Sequence, residues 1–184
     1  MAEFRRKPNR LAAESYRGRR TYFLTLCVCE RKKVFTDGTL VSTLLALLEK
    51  TCAAHSFRVH AFCFMPDHLH LILVGESESS EVSPVIRALK GAATEVVRAS
   101  SISSLWQKRY YDHVLRGGKS LDESAWYVFL NPVRAGLVKR AGEWPYSGSF
   151  VFARKGLARP AETFHPPWKG EVATGEKLKG KMAR

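Results

Sequence analysis

The sequence lacks any apolar run approaching the ~18 residues that a membrane span needs, and its first ten residues, MAEFRRKPNR, have no hydrophobic core of the kind a secretion signal carries. These absences lead to the expectation of a cytoplasmic protein without a membrane segment. Cysteine is sparse: Cys27, Cys29, Cys52 and Cys63 include no C-x-x-C pair. With that spacing neither a zinc knuckle nor a disulfide framework is indicated, and buried, reduced thiols are the expected state. Acidic residues are the largest shortfall, with 17 Asp and Glu against 30 Lys and Arg, for a formal charge of +13. A chain so short of negative charge suits a polyanionic partner, because Lys and Arg that displace phosphate counterions supply most of the non-specific affinity for nucleic acid. An anionic membrane surface is the rival. There is no internal repeat, and no low-complexity block outside the two ends.

What is present fits one domain with appendages: 184 residues, 45% of them apolar, are enough to fill a core of ordinary density. The positive charge gathers at the ends. Residues 1–20 carry Arg5, Arg6, Lys7, Arg10, Arg17, Arg19 and Arg20 against only Glu3 and Glu14, and residues 153–184 carry eight basic residues against three acidic ones. Both stretches hold Pro or Gly and few aliphatics, the composition of arms that order on a polyanion or simply solubilise the chain. The expected division is a basic arm over 1–20, a catalytic domain over 21–152 and a basic tail over 153–184.

The middle of the chain alternates strand and helix signals. Residues 21–35, TYFLTLCVCERKKVF, are rich in aromatic and β-branched residues and predict a strand. Asp37 and Gly38 open a helical stretch whose leucines at 40, 44, 45, 47 and 48 form an apolar stripe. RVHAFCFM and HLHLILVG predict two antiparallel strands joined by a tight turn at Pro66-Asp67. Residues 83–100 predict a second helix with Pro84 at its first turn, WQKRYYDHVLR a fourth strand, and the capping-box sequence S-L-D-E from Ser120 a last helix running toward Asn131-Pro132. The order β-α-β-β-α-β with one extra helix is the α+β, ferredoxin-like split βαβ arrangement with an antiparallel sheet.

FMPDHLHLIL puts two imidazoles where aliphatic residues would pack more simply. Side chains alternate along a strand, so His68 and His70 share one face while Leu69, Leu71 and Leu73 take the other. Two neutral rings at that spacing can converge on one ion, with a third ligand from elsewhere and open positions for water or phosphate. Taken alone, H-x-H also describes two solvated histidines. In the last helix Tyr127 and Asn131 lie four apart, one turn from each other; as a structural pair they would be a packed ring and a helix cap. Joined to the histidines, they read as chemistry. A phenol is protonated at neutral pH and needs a base or cation to attack, and a divalent ion on His68, His70 and the Asn131 carbonyl would polarise a phosphate for attack by Tyr127.

FMPDHLHLIL, WQKRYYDHVLR and YVFLNPVRAGLVKRAGEWPYSGSF, in that order, resemble the REP-associated tyrosine transposases, relatives of the single-tyrosine HUH transposases of small insertion sequences; the resemblance covers about residues 15–152. It implies cleavage of single-stranded DNA near hairpins, metal-binding histidines at His68 and His70, a nucleophile at Tyr127, and Mg²⁺ or Mn²⁺ as cofactor. Asn131 stands where related transposases have a glutamine ligand. The resemblance favours a monomer over a homodimer, with the protein on the nucleoid when DNA-bound.

Arg5, Arg6, Lys7, Arg19, Arg20, Lys108, Arg109, Arg116, Lys119 and Arg134 are the expected DNA-backbone contacts, with solvated charge as the alternative. Tyr110 and Tyr111 are assigned to packing or base stacking, Tyr146 to packing, the Cys27 and Cys29 pair to burial rather than soft-metal binding, and His60 and His113 to ordinary hydrogen bonding. The competing functions are a single-stranded nucleic-acid-binding module without catalysis, whose glycine-aromatic signature is missing from HLHLILVG, and a metal-dependent hydrolase that uses water in place of Tyr127.

Overall fold

The computed structural model describes residues 13–98, 104–115 and 121–152. Five strands form one sheet in the order β4-β1-β3-β2-β5: β1 (Thr21–Cys27), β2 (Phe57–Met65), β3 (His68–Gly75), β4 (Tyr111–Leu115) and β5 (Ser147–Gly148). Every neighbouring pair is antiparallel. Without β5 the order is that of the expected split βαβ sheet, with β3 inserted between β1 and β2.

Helices α1 (Gly38–Ala54) and α2 (Val82–Arg98) cover one face of this sheet. Asp37 starts α1 as expected, its carboxylate accepting from the backbone N–H groups of Thr39 (2.8 Å) and Leu40 (3.3 Å). Val41, Leu44 and Leu48 of α1 and Val85, Ile86 and Leu89 of α2 join Leu69, Leu71 and Leu73 of β3 in the larger core cluster. Each fully buried leucine there contributes about 1.5–3 kcal/mol.

The opposite face carries α3 (Leu121–Phe129), whose Ala125, Val128 and Phe129 pack in a second cluster with Phe23 of β1, Ala61 and Cys63 of β2, and Ile72 of β3. The period of two therefore puts the leucines of β3 toward α1 and α2, and its histidines on the side of α3. A short helix α4 (Asn131–Arg134) follows α3, with Pro132 in its first turn, so the proline starts a new turn as well as ending the old one.

Three expectations differ from the structure. The first strand ends at Cys27 rather than 35: Val28 keeps only an isolated bridge to Trp106, and Glu30 and Arg31 both take positive φ (55° and 56°) in a tight turn. The fourth strand is limited to residues 111–115 because that bridge stands apart from the β1–β4 ladder. β5 was not foreseen; two residues carry no readable period. The basic arm up to Ala12, the tail from 153, and Arg5, Arg6, Lys7, Arg116 and Lys119 lie outside the described residues.

Candidate functional site

β3 has a partner on each side, so the backbone beneath the histidines is held by two ladders. Thr25 of β1 and Cys63 of β2 flank His70, while Cys27 and Met65 flank His68. The two rings stand nearly perpendicular (89°) with centroids 4.6 Å apart, and their Nε2 atoms are 3.0 Å apart. Each Nδ1 is engaged from behind. His68 Nδ1 lies 2.5 Å from Asp67 Oδ1, and His70 Nδ1 lies 2.9 Å from Thr25 Oγ1.

This pattern fits a cation. With Asp67 and Thr25 oxygens accepting the two Nδ1–H groups, both Nε2 lone pairs aim at one point, an arrangement that a shared proton or a metal ion satisfies. Burial first, then the charges of His68, Arg134 and Arg31, hold His70 well below the usual histidine value, which keeps its ring in the neutral, ligating form. Two imidazoles suit a divalent ion of intermediate hardness. Among the described residues no cluster of three His, Cys, Asp or Glu side chains is assembled as ligands; an amide oxygen, phosphate or water can serve beside the two imidazoles.

Asp67 is itself fixed from a second direction. Arg31 Nε pairs with Asp67 Oδ2 at 2.8 Å, and its Nη1 donates to Cys27 Sγ at 3.0 Å. Burial pushes the Asp67 carboxyl up, but the hydrogen bond and charge of His68 and the charge of Arg31 outweigh it, so its pKa ends below the ordinary aspartate value. The left-handed backbone at Glu30 and Arg31 turns the chain back at this point. Non-glycine residues in that region cost of order 1 kcal/mol each, a strain that collects at functional sites.

Tyr127 comes to the same face on α3. Phe23 joins the two halves: its ring centroid lies 5.7 Å from that of His70 and 5.8 Å from that of Tyr127. The guanidinium carbon of Arg134 lies 4.1 Å from the Tyr127 ring centroid, and Arg134 Nη2 donates to the Tyr127 carbonyl (2.6 Å) and to Asn131 Oδ1 (3.0 Å). Tyr127 is only partly buried. Asn131 is used locally: Nδ2 donates to the carbonyls of Tyr127 (3.2 Å) and Val128 (3.0 Å), closing the end of α3. Its capping role is therefore visible, and Oδ1, which accepts one bond from Arg134, keeps a second lone pair.

The structure links Tyr127 to His70 through Phe23, sets Asn131 and Arg134 beside Tyr127, and keeps exposed Lys108 and Arg109 at the histidine end of the sheet, just before β4. Arg19 and Arg20 lie at the other end of β1, where Arg19 pairs with Glu78 at 3.4 Å. Thr25, Asp67, Arg31 and Phe23 were not singled out from the sequence. Two carried a signal: Thr25 interrupts the apolar run TYFLTLC, and Asp67 directly precedes His68.

A family profile described as "Transposase IS200 like" matches residues 18–128. The REP-associated tyrosine transposase of Escherichia coli K12 is 26% identical over 161 residues, which cover 86% of this chain and 92% of that protein. A candidate REP-associated tyrosine transposase of Haemophilus influenzae is 28% identical over 137 residues, 68% of this chain and 77% of that one. A solved REP-associated tyrosine transposase bound to a REP hairpin superposes with a TM-score of 0.63 at 27% identity, covering 80% of this chain and 82% of its own. Among the described residues no helix is long and apolar enough to cross a membrane.

Proposed function

The chain belongs to the IS200-like transposase family and is a transposase-type DNA-processing enzyme, and from that premise we propose that it is a metal-dependent single-stranded DNA endonuclease and strand transferase that works at hairpin DNA through a covalent 5'-phosphotyrosine. One observation carries the reading: two imidazole Nε2 atoms 3.0 Å apart share a sheet face with a tyrosine, joined to it through Phe23. The relative solved with a REP hairpin supports hairpin DNA as the substrate class.

His68, His70 and the Asn131 amide oxygen would hold Mg²⁺ or Mn²⁺, which when bound supplies Lewis acidity toward the oxygens of the scissile phosphate. Asp67 and Thr25 keep the two rings in the orientation that presents Nε2. Phe23 and the Arg134 guanidinium both contact the Tyr127 ring and hold it in place. Tyr127 Oη then attacks phosphorus, forming one P–O bond while the bond to the 3'-oxygen breaks. The phenolic proton leaves to solvent, and the departing oxygen ends as a 3'-hydroxyl. Attack by another 3'-hydroxyl on the phosphotyrosine reverses these changes, so the energy of the cut bond is retained for rejoining. The Arg134 guanidinium, with five N–H donors, would pair with the phosphate. Lys108, Arg109 and the basic arms would carry the flanking backbone. A monomer, as the family resemblance implies, is the proposed working unit, acting on the nucleoid in the cytoplasm.

Incubation of a labelled single-stranded hairpin with the protein and Mn²⁺, followed by denaturing electrophoresis, tests this. A covalent DNA–protein band is expected, lost in Tyr127→Phe to below about one thousandth of the parent rate. Cleavage without a covalent band, or a band that persists in the phenylalanine variant, would overturn it.

A further inference from the structure

The two adjacent tyrosines before the fourth strand part company in the structure. Tyr110 packs against the larger core with the Lys90 ammonium 5.4 Å from its ring centroid. Asp112, two positions on, faces the same way and accepts from Tyr16 Oη at 2.6 Å, and Val114 continues that side into the same core. Tyr111 is therefore turned to the other face, and it is 44% exposed.

That face is the one with the histidines. Tyr111 is paired with Thr25, and Thr25 with His70, so the three stand in one row across β4, β1 and β3. Two strand spacings put the Tyr111 backbone roughly 10 Å from that of His70. Thr25 is small and buried, and its Oγ1 is bound to His70, so no bulky side chain rises in the row between the phenol ring and the imidazole. The large apolar side chains left exposed among the described residues are Tyr111, Leu137, Phe150 and Val151, and Tyr111 is the one in this row. Exposed Lys108 and Arg109 stand three and two positions before it and add positive charge at the same end of the sheet.

We propose that Tyr111 is the stacking platform for an unpaired base adjoining the scissile phosphate, which places single-stranded rather than duplex DNA across the histidine face. The inference rests on the strand-transferase reading for the position of the phosphate. Every base has a π-face, so an exposed ring on a sheet flanked by cations holds a single strand with little sequence preference. A paired base has both faces occupied by its neighbours and gains nothing there. The position selects for an unpaired base beside the cut and leaves recognition of the hairpin to other contacts.

The test uses full-length protein and hairpin substrates carrying 2-aminopurine either next to the cleaved link or several nucleotides away. Tyr111 quenches the fluorescence of the near probe and leaves the distant one unchanged. Tyr111→Ala abolishes that quenching and weakens single-strand affinity about tenfold, while Tyr111→Trp and Tyr111→Phe retain both. Equal quenching and affinity in the alanine variant, or a loss that neither aromatic variant restores, overturns the proposal. The covalent band of the parent protein reports separately on the strand-transferase reading. A parent that forms the band while Tyr111→Ala behaves identically removes the platform and keeps the enzyme; Tyr111-dependent quenching with no covalent band does the reverse.

Discussion

His68 and His70 depend on the groups behind them. An imidazole free to turn offers its lone pair in many directions, whereas one whose Nδ1 is held by Asp67 or Thr25 offers Nε2 in one. Removal of such a partner commonly costs 10–100-fold in metal affinity, so Asp67→Ala should weaken Mn²⁺ binding by that factor in calorimetry, with hairpin affinity in chelator unchanged. Unaltered metal affinity would show that the carboxylate does not orient the ring. The histidines and the tyrosine were readable because each breaks a pattern around it. Phe23 was hidden because its role comes from two contacts across the fold, and Arg31 because only the left-handed turn brings it to Asp67. His60 makes a different case. It sits at the irregularity of β2 between Val59 and Ala61, buried, with Nε2 lacking a partner among the described residues. Burial first, aided by Arg58 and opposed by Asp122, lowers its pKa from 6.5. The unfolded chain then takes up a proton as pH falls through that value and the folded chain does not, so the stability carried by the neutral ring is present above it and declines below. Urea midpoints measured between pH 7 and 5 should fall less steeply in His60→Phe, with a change at pH 7 of under about 1.5 kcal/mol.

At the scale of elements, the two halves of the site ride on different carriers. The histidines belong to the middle strand of the sheet, and the tyrosine to a helix seated on Ala61, Cys63 and Ile72. Small residues at that seat set how close α3 comes. Ala61→Leu should cost about 1–3 kcal/mol in stability by overpacking and push α3 outward. A displacement of about 1 Å is worth roughly 10²-fold in rate, so covalent-band formation should fall by that much while hairpin affinity in chelator stays at the parental value. Loss of hairpin affinity as well would mean that the variant disturbs the sheet itself. Strand and helix identities were largely legible, since long apolar periods survive into the structure. Boundaries were not: β1 stops where a backbone turn intervenes, and the span expected for β4 mixes an isolated bridge with a true ladder.

For the whole molecule, the excess of cations is what the sequence displayed most openly, and it bears on affinity more than on fold. Binding to single strands should weaken with salt at a slope of about −0.7 per phosphate contact. If the basic tail contributes, replacing Lys177, Lys179 and Lys181 with Gln should reduce that slope by up to about 2, measured by fluorescence titration across salt concentrations. An unchanged slope would assign the tail no phosphate contacts. The overall arrangement followed from the order of elements because a split βαβ chain has few ways to close. What no periodicity announced was β5, two residues laid along the outer margin of β2, with Gly148 so close to Phe62 that a methyl group there would stand 2.9 Å from the ring. β2 is nine residues long and almost entirely apolar, and without that strip its hydrogen-bonding margin would be open to the same margin of another molecule. The strip thus serves colloidal stability: it lets a chain built to crowd onto DNA do so without its copies zippering to one another.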